Sequence, residues 1–150
     1  VNFINVTGEV EKINIDGSLS DALDVDFSNI KIKNIQVKNA GNDCSDFSYG
    51  QYYLINLELH NCGDKALSIG EKSFVELNSI QAKNAVTGVA SKDSSVTILK
   101  ESFFQDVKTC ISAYKKKQEF DGSIVKIGDF VCNNFQKKLS IDSRSKILKS

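Results

Sequence analysis

The chain has 150 residues, of which 41% are hydrophobic and 25% are charged, and its formal net charge is zero. These values are typical of a globular domain that can bury a core. No apolar run approaches the roughly 18 residues that a membrane-spanning helix needs, and no uniform basic stripe marks a surface for nucleic acid. We therefore expect neither membrane insertion nor a nucleic-acid partner.

Residues 1–19 contain fragments of a repeat that becomes complete only from Ser20 onward. Ile13 and Ile15 hold the places that Ile35 and Val37 hold in the first full repeat. Such an incomplete first coil leaves unpaired backbone groups at its outer edge. Because the chain also contains no methionine, we expect it to be part of a longer protein whose upstream domain covers this edge.

Four segments of equal length follow one another between Ser20 and Val107. They read SDALDVDFSNIKIKNIQVKNAG, NDCSDFSYGQYYLINLELHNCG, DKALSIGEKSFVELNSIQAKNA and VTGVASKDSSVTILKESFFQDV. A fixed period of this size indicates a stacked-repeat architecture, in which each repeat buries its apolar face against its neighbours.

Each repeat predicts short strands with one buried face. Apolar and polar residues alternate, as in Leu23-Asp24-Val25, which is the period of a strand that faces a core on one side. Equivalent positions of successive repeats form columns. The inward columns are Leu23, Ser45, Leu67, Val89, Ile111 and Val25, Phe47, Ile69, Ser91, Ala113, and the outward column between them is Asp24, Asp46, Ser68, Ala90, Ser112.

A further column, which follows the last strand of each repeat, contains Asn39, Asn61, Asn84, Asp106 and Asn134. Asn and Asp tolerate a left-handed backbone and therefore suit a tight corner. Stacked at one corner, they can hydrogen-bond to each other as an asparagine ladder. The sequence thus predicts one all-β domain over residues 1–150, a right-handed parallel β-helix of about six coils of about 22 residues, with about three short strands per coil.

A leucine-rich repeat is the alternative fold, because its period of roughly 20–29 residues includes the one found here. Leu54, Leu57, Leu59 and Cys62 match its L-x-x-L-x-L-x-x-C frame. That fold needs a helical segment in each repeat, whereas the segment DKALSIGEKSFVE alternates like a strand and contains glycine, which weakens helices. The β-helix is therefore favoured.

Residues 115–120, KKKQEF, interrupt the fifth repeat, so that Asp106 and Asn134 are separated by more than one period. An insertion at a coil corner forms a surface loop, and loops on rigid scaffolds often carry function. The final residues, 142–150, are mostly polar, and we expect them to cap the lower edge of the last coil.

The four cysteines are Cys44, Cys62, Cys110 and Cys132, and their spacing matches neither a C-x-x-C motif nor a metal site. Cys44 and Cys110 share a column with small residues. All four are therefore interpreted as small hydrophobic residues of the core. The single histidine, His60, is predicted to face solvent, because the repeat brings no nucleophile near it.

Charge is distributed unevenly along the chain. Residues 1–75 contain 6 basic and 11 acidic side chains, whereas residues 76–150 contain 13 and 8. Stacked in chain order, the coils would form a rod with an acidic upper end and a basic lower end. We expect a monomer, or weak head-to-tail association that low salt strengthens.

Acidic side chains cluster on the outward face of the first two repeats. Asp24 and Asp46 are neighbours in the outward column, Asp26 follows on the same strand face, and Asp21 and Asp43 precede the strands. Carboxylates of adjacent coils can form a calcium site, here Asp21, Asp24, Asp43 and Asp46. Two carboxylates roughly 5 Å apart also resemble the pair of a retaining glycosidase, with Lys92 as a third candidate catalytic group. Solvated surface aspartates are the remaining alternative.

Basic side chains continue the same edge lower in the stack. Lys72, Lys92 and Lys115 occupy corner or loop positions on successive coils. Together with Asp24, Asp26 and Asp46 they form the predicted ligand-binding set, along which a polysaccharide could lie. A solvated, solubilising edge is the alternative.

The columns resemble those of the pectin-lyase-like superfamily of right-handed β-helices over nearly the whole chain. More narrowly, SDALDVDFS, GNDCSDFS, GDKALSIGEKS, SKDSS and AYKKKQEF resemble a bacterial β-helix domain found beside spore-coat-H-like kinase modules. The superfamily includes lyases, hydrolases, epimerases, tailspikes and non-catalytic surface proteins, so the fold alone does not select among them. Catalytic members would imply calcium-binding carboxylates with an Arg or Lys base, or a cluster of Asp acids. Asp24, Asp26 and Asp46 match in type and face, but the only arginine, Arg144, lies in the tail.

The sequence as a whole predicts a non-catalytic β-helix module of a secreted or otherwise extracytoplasmic bacterial protein. Its role is expected to be carbohydrate binding or that of a rigid scaffold, with no cofactor except calcium. The alternative is a polysaccharide lyase or glycoside hydrolase that acts at the outward Asp cluster.

Overall fold

The alternating residues of the repeat form parallel strands that stack coil upon coil. The computed structural model describes residues 1–150 as a right-handed parallel β-helix of about 7 turns, which include partial coils at both ends. The 11 strands belong to one continuous sheet, and the leucine-rich alternative is wrong because no helical segment is present. The strands are β1 (Asn2–Ile4), β2 (Thr7–Ser18), β3 (Leu23–Asp26), β4 (Asn29–Ala40), β5 (Ser45–Ser48), β6 (Gln51–Cys62), β7 (Lys65–Ile69), β8 (Phe74–Lys92), β9 (Val96–Tyr114), β10 (Ile124–Ile141) and β11 (Lys146–Lys149).

The strand register confirms the columns inferred from the repeat. Leu23 pairs with Ser45 and Ser45 with Leu67, while Asp24 pairs with Asp46 and Asp46 with Ser68. Between β9 and β10 the register jumps, since Val96 pairs with Ile124. This jump absorbs residues 115–120, which lie outside the strands.

The strands are longer than the three short strands per coil that the pattern predicts. β8 and β9 each run for 19 residues around two corners of the coil. Asn39, Asn61 and Asn84 lie within or between such stretches with φ of 61°, 57° and 59°. A single left-handed residue turns the chain without interrupting the backbone hydrogen bonds to the neighbouring coil. The strands on either side of the corner are therefore continuous.

The predicted asparagine ladder forms at this corner. The side chain of Asn84 donates to Asn61 over 3.0 Å, Asn61 donates to Asn39 over 3.0 Å, and Asn39 donates to Asp16 over 2.8 Å. Asn134 likewise donates to Asp106 over 2.7 Å. The side chain of Asp106 has no N–H group that could donate to Asn84 in the coil above. The asparagine ladder is therefore interrupted between Asp106 and Asn84.

The interior of the coils contains one cluster of 33 buried apolar residues. Phe47 and Tyr52 pack edge to face in it, with ring centroids 4.9 Å apart. The Tyr52 hydroxyl donates to the carbonyl oxygens of Ser48 (2.7 Å) and Val25 (3.1 Å). No element has the length and apolar character of a membrane-crossing helix.

The cysteines lie in or against the core, as predicted, but they are also paired, which their spacing did not predict. Cys44 and Cys62 form one disulfide, with Cα atoms 5.3 Å apart, and Cys110 and Cys132 form another, with Cα atoms 6.4 Å apart. A coil returns to its starting corner after about one period, so residues nearly one period apart meet across a corner. Disulfides are typical of proteins that fold in oxidising compartments.

The two ends of the rod are open to different extents. At the upper end β1 pairs only with β3 and β2 only with β4. At the lower end the segment 142–150, predicted as a polar cap, contributes β11, which pairs with residues 124–127 of β10. The rest of β10 has no strand below it, and Val131, Phe135 and Leu139 are exposed there.

Candidate functional site

The acidic residues of the outward column lie on the first strand of each coil, where β3, β5 and β7 stack. Leu23 and Val25 point into the core, so the intervening Asp24 points away from it, as does Asp46 between Ser45 and Phe47. Asp24 and Asp46 are directly paired in the ladder, which places them about 4.8 Å apart along the stack. We call this surface, with Asp26 beside it, the acidic face.

The outward column becomes covered immediately below Asp46. Ser68 and Ala90 point away from the core, yet they are only 0% and 1% exposed. Lys92, which is 8% exposed, crosses towards the coil above, and its Cε lies 3.9 Å from where a Cβ on Gly70 would be. The outward column is therefore closed to solvent below Asp46, with the stem of Lys92 lying against Gly70 beside it.

The carboxylates of the acidic face resist ionisation. Burial, followed by the charges of Asp26 and Asp46, raises the pKa of Asp24 to about 6. Burial is also the main cause that raises the pKa of Asp26, followed by the charge of Asp46. For Asp46 burial raises the pKa against the opposing positive charge of Lys92. Like charges in a partly desolvated site favour the protonated form.

Asp21 and Asp43 have a different role, because they cap backbone groups at the corner before the strands. Asp21 Oδ1 accepts hydrogen bonds from the Asn42 side chain (2.7 Å) and from the backbone N–H of Asp43 (3.0 Å). Asp43 Oδ1 accepts the N–H of Lys65 over 2.9 Å, and the Lys65 ammonium lies 3.7 Å away. Burial still raises the pKa of Asp43 to about 6, although Lys65 opposes the shift.

Three of the four predicted calcium ligands come together. Asp21, Asp43 and Asp46 each place a carboxylate oxygen within 4.8 Å of the others, whereas Asp24 is not part of this group. Asp46 Oδ1 is buried, and the neighbouring Ser68 hydroxyl interacts with this carboxylate and lowers its pKa against the effect of burial. Calcium takes about six to eight oxygens, and one oxygen each of Asp21 and Asp43 already accepts N–H groups. The residues therefore fit part of a calcium shell.

An exposed aromatic pair adjoins the acidic face at the next corner. Phe27 directly follows Asp26, and Tyr49 holds the same place one coil lower, with φ of 49° and 51° respectively. Their rings stack with centroids 4.7 Å apart and planes within 8°, although 57% of Phe27 and 37% of Tyr49 are exposed. Bulky residues seldom adopt positive φ, so the stack holds two aromatic rings at a surface corner.

The inserted loop, residues 115–120, packs against the lower side of this corner. Phe120 contacts Tyr49 edge to face at 6.2 Å, and the Lys72 ammonium lies 6.0 Å from the Phe120 ring centroid. Lys117 forms an ion pair with Glu71. Burial alone would raise the pKa of Glu71, but the hydrogen bond from Lys117 holds it below its ordinary value. The loop therefore extends the aromatic corner and neutralises the acid nearest to it.

The predicted basic positions are engaged in other contacts. Lys92 is buried and Lys72 lies over Phe120. The backbone N–H of Lys115 donates to Asp142 Oδ2 over 2.7 Å, and the two following N–H groups donate to the buried Asp93. His60 is partly exposed on the far side of the coil.

Sequence reasoning missed the aromatic pair, although its signal was present. Phe27 and Tyr49 are equivalent residues of successive repeats, so the spacing of the two aromatics was enough to predict their contact. The burial of Lys92 carried no such signal, because it depends on how the side chain lies across the coil above.

The chain is thus a parallel β-helix with an acidic face and an adjoining aromatic corner. Comparison of the chain with protein-family models, with curated proteins and with solved structures gave no match. The fold is therefore assigned from the strand register of the chain itself.

Proposed function

We propose that the chain is a carbohydrate-binding, non-catalytic β-helix module of an extracytoplasmic protein, and that it binds a polysaccharide across the acidic face and the aromatic corner. The observation that carries this proposal is the exposed stack of Phe27 and Tyr49 directly beside Asp26. Exposed stacked rings beside unpaired carboxylates are the combination that a sugar ring needs.

The two parts of the surface have complementary chemistry for a sugar. The apolar C–H face of a pyranose packs on an aromatic ring, and aromatic side chains contribute a large contact area with little loss of freedom. Carboxylates accept hydrogen bonds from sugar hydroxyls, and such charge-assisted bonds are stronger than neutral ones. Adjacent coils repeat the same groups one strand spacing apart, which suits a repeating polymer.

Two further observations support the cellular setting and the ligand class. The disulfides Cys44–Cys62 and Cys110–Cys132 favour an oxidising compartment outside the cytoplasm. The resemblance to the pectin-lyase-like superfamily, and to the bacterial β-helix domain found beside spore-coat-H-like kinase modules, implies surface proteins, many of which act on or bind polysaccharides.

The test is a binding assay with soluble neutral, acidic and amino-sugar polysaccharides, using the wild-type chain and Phe27→Ala. We expect Phe27→Ala to weaken binding at least tenfold, because it removes the exposed half of the stack. Phe103→Ala is the matched control, since Phe103 is 39% exposed on β9, away from the acidic face. Equal loss in both variants, or binding to no polysaccharide, contradicts the proposal.

A second candidate is catalysis at Asp24 and Asp46, and the raised pKa of Asp24 favours it. A carboxyl with a pKa of about 6 can act as a general acid beside an ionised partner. Lys92 would be the nearby base, and calcium at Asp21, Asp43 and Asp46 would hold an acidic substrate. Release of reducing ends or of unsaturated products from the same panel, with and without calcium, measures this activity, and Asp46→Asn should abolish it.

A further inference from the structure

We propose that Asn5 is the acceptor of an N-linked glycan, and that the first sugar of this glycan packs on the exposed ring of Phe27 in the coil below. Asn5-Val6-Thr7 has the acceptor pattern Asn-x-Thr with a middle residue other than proline, and no other asparagine of the chain has Ser or Thr two residues later. The inference goes beyond the proposed function and holds whether or not the chain also binds a free polysaccharide.

The first observation is the equivalence of Asn5 and the aromatic pair. Asn5, Phe27 and Tyr49 occupy the same corner of three successive coils, with φ of 57°, 49° and 51°. Their backbone N–H groups each donate to a carbonyl oxygen of the coil below, over 3.0, 3.1 and 2.9 Å. Because the backbone conformation is the same, the three side chains point in the same direction, one coil spacing of about 4.8 Å apart. Asn5 therefore lies above Phe27 as Phe27 lies above Tyr49.

The second observation is that the Phe27 ring has one covered face and one free face. Its lower face stacks on Tyr49 with centroids 4.7 Å apart and planes within 8°, yet 57% of the residue is exposed. The free face is directed towards the level of Asn5, where no aromatic ring continues the stack. A pyranose attached to Asn5 would occupy this level, with its apolar C–H face against the ring.

The third observation is that the acceptor group is accessible and unused. The side chain of Asn5 is exposed and has no hydrogen-bond partner in the chain, whereas Asn61 of the asparagine ladder both donates and accepts. Thr7, which completes the acceptor pattern, is exposed as well. Tyr49 is still 37% exposed although coils lie above and below it. The corner is therefore open along the stack and has room for a glycan.

The backbone of this corner suits asparagine and disfavours aromatic residues. A left-handed conformation is tolerated by Asn and costs free energy for a bulky side chain. Phe27 and Tyr49 adopt it although both remain at the surface, where burial does not offset the cost. A sugar packed on Phe27 would remove the free face of the ring from water. The glycan would thereby compensate part of the cost of an aromatic residue at this corner.

The modification is a glycosyl transfer from a polyprenyl-diphosphate-linked oligosaccharide, carried out by an oligosaccharyltransferase. A bond forms between Asn5 Nδ2 and the anomeric carbon of the first sugar, while the bond from that carbon to the diphosphate oxygen breaks. The amide nitrogen loses one proton, and the lipid diphosphate leaves with the electron pair of the broken bond. The disulfides favour an oxidising compartment outside the cytoplasm, which is the setting of such a transfer.

The experiment that tests the acceptor is secretion of the whole chain from a eukaryotic host that attaches N-linked glycans, followed by peptide mass spectrometry. We expect the wild type and Thr7→Ser to carry a glycan on Asn5 and Thr7→Ala to carry none, because the acceptor pattern needs a hydroxyl two residues after the asparagine. A wild-type chain that is secreted and folded without a sugar on Asn5 overturns the inference.

Thermal melts test the packing on Phe27. An endoglycosidase that leaves a single N-acetylglucosamine on Asn5 isolates the first sugar, and the same chain from an oxidising host without N-glycosylation is the reference. We expect this sugar to raise Tm by about 2–4 °C in the wild type. The same shift is expected in Phe103→Ala, which lacks an exposed ring of a distant coil, and no shift in Phe27→Ala. An equal shift in all three proteins, or none in the wild type, overturns the packing.

The glycan and a free polysaccharide would share one face of Phe27. We therefore expect the glycosylated chain to bind a polysaccharide about tenfold more weakly than the unglycosylated chain. Equal binding by the two forms shows that the glycan does not cover Phe27 and overturns the packing. A chain that binds no polysaccharide in either form contradicts the proposed function alone, since the mass spectra and the melts decide the inference on Asn5.

Discussion

The outward column of the first strand runs through the two upper coils, residues 20–63, and the coils below them, residues 64–141, but its environment changes between them. In the upper coils it contains Asp24 and Asp46, which have no ion-pair partner and are partly exposed. Below them Ser68 and Ala90 are covered, and Lys92 is buried beside them. The same backbone geometry therefore supports a partly exposed acidic surface in the upper coils and a covered column of small residues in the lower ones. On a repeating scaffold, the size and charge of one side chain per coil decide whether the outward face is open or covered.

The two disulfides offer the largest test of this comparison, because each half contains one. The Cys44→Ala/Cys62→Ala variant opens a loop with a sequence separation of 18, and the Cys110→Ala/Cys132→Ala variant opens one of 22. Loop-closure entropy predicts a loss of about 3 kcal/mol in the free energy of unfolding for each. Urea denaturation of both variants measures it. A loss confined to one variant would mean that the halves depend on their disulfides unequally.

The charge of the upper half should lower stability as the pH rises. The folded chain holds the proton of Asp24 with a pKa of about 6, against 3.8 as the ordinary value. The folded state therefore binds more protons than the unfolded state between these values, and its free energy of unfolding falls as the pH rises from about 4 to about 6. Because Asp24 is largely solvated, screening reduces the effect to about 1 kcal/mol.

Asp24→Asn removes this pH dependence, so the variant should be more stable than the wild type at pH 7 and about equal to it at pH 4. Chemical denaturation across this pH range, with Asp129→Asn as the matched control from the lower half, measures the difference. A free energy of unfolding that falls from pH 4 to pH 6 by the same amount in all three proteins would show that Asp24 is not responsible.

The asparagine ladder provides the smallest test, because it is continuous in the upper half and interrupted at Asp106 in the lower half. Asp106→Asn supplies an amide that can donate to Asn84 while it still accepts from Asn134, which joins the two parts of the ladder. We expect an increase of about 0.5–1 kcal/mol in the free energy of unfolding. Asn61→Asp, which breaks the upper ladder, should have the opposite sign. Thermal melts of the two variants detect both changes, and shifts in the same direction would disprove a role for the ladder.

Much of the fold could be predicted because the period fixes which residues share a column. Leu23, Ser45 and Leu67 meet as inferred, and the jump at residues 115–120 follows from the position of Asn134. The disulfides could not be found in the same way, since Cys44 and Cys62 belong to different columns and meet only across a corner. The continuity of the strand through the corner at Asn39 also depends on its backbone angles, which cannot be predicted from the columns of equivalent residues.

The site could be predicted only in part. The neighbours Asp24 and Asp46 follow from the repeat, and the structure groups Asp21, Asp43 and Asp46. The raised pKa of Asp24 depends on partial burial of an outward face that the pattern assigns to solvent. The burial of Lys92 and of Ser68 depends on contacts between coils, and the alternation of polar and apolar residues does not predict such contacts. The expected head-to-tail association and its dependence on salt stay predictions.

The disulfide Cys44–Cys62 also has a mechanical consequence. A chain pulled from its two ends would unwind coil by coil, since each coil is held to the next by a ladder of parallel hydrogen bonds. The covalent loop, with a sequence separation of 18, cannot lengthen under such a load. At about 3.3–3.6 Å per residue, the disulfide prevents roughly 60 Å of extension. The coil that contains Asp46 and Tyr49 lies within this loop. Under tension its perimeter stays closed after the neighbouring coils have unwound, so half of the aromatic stack remains on a covalently fixed ring.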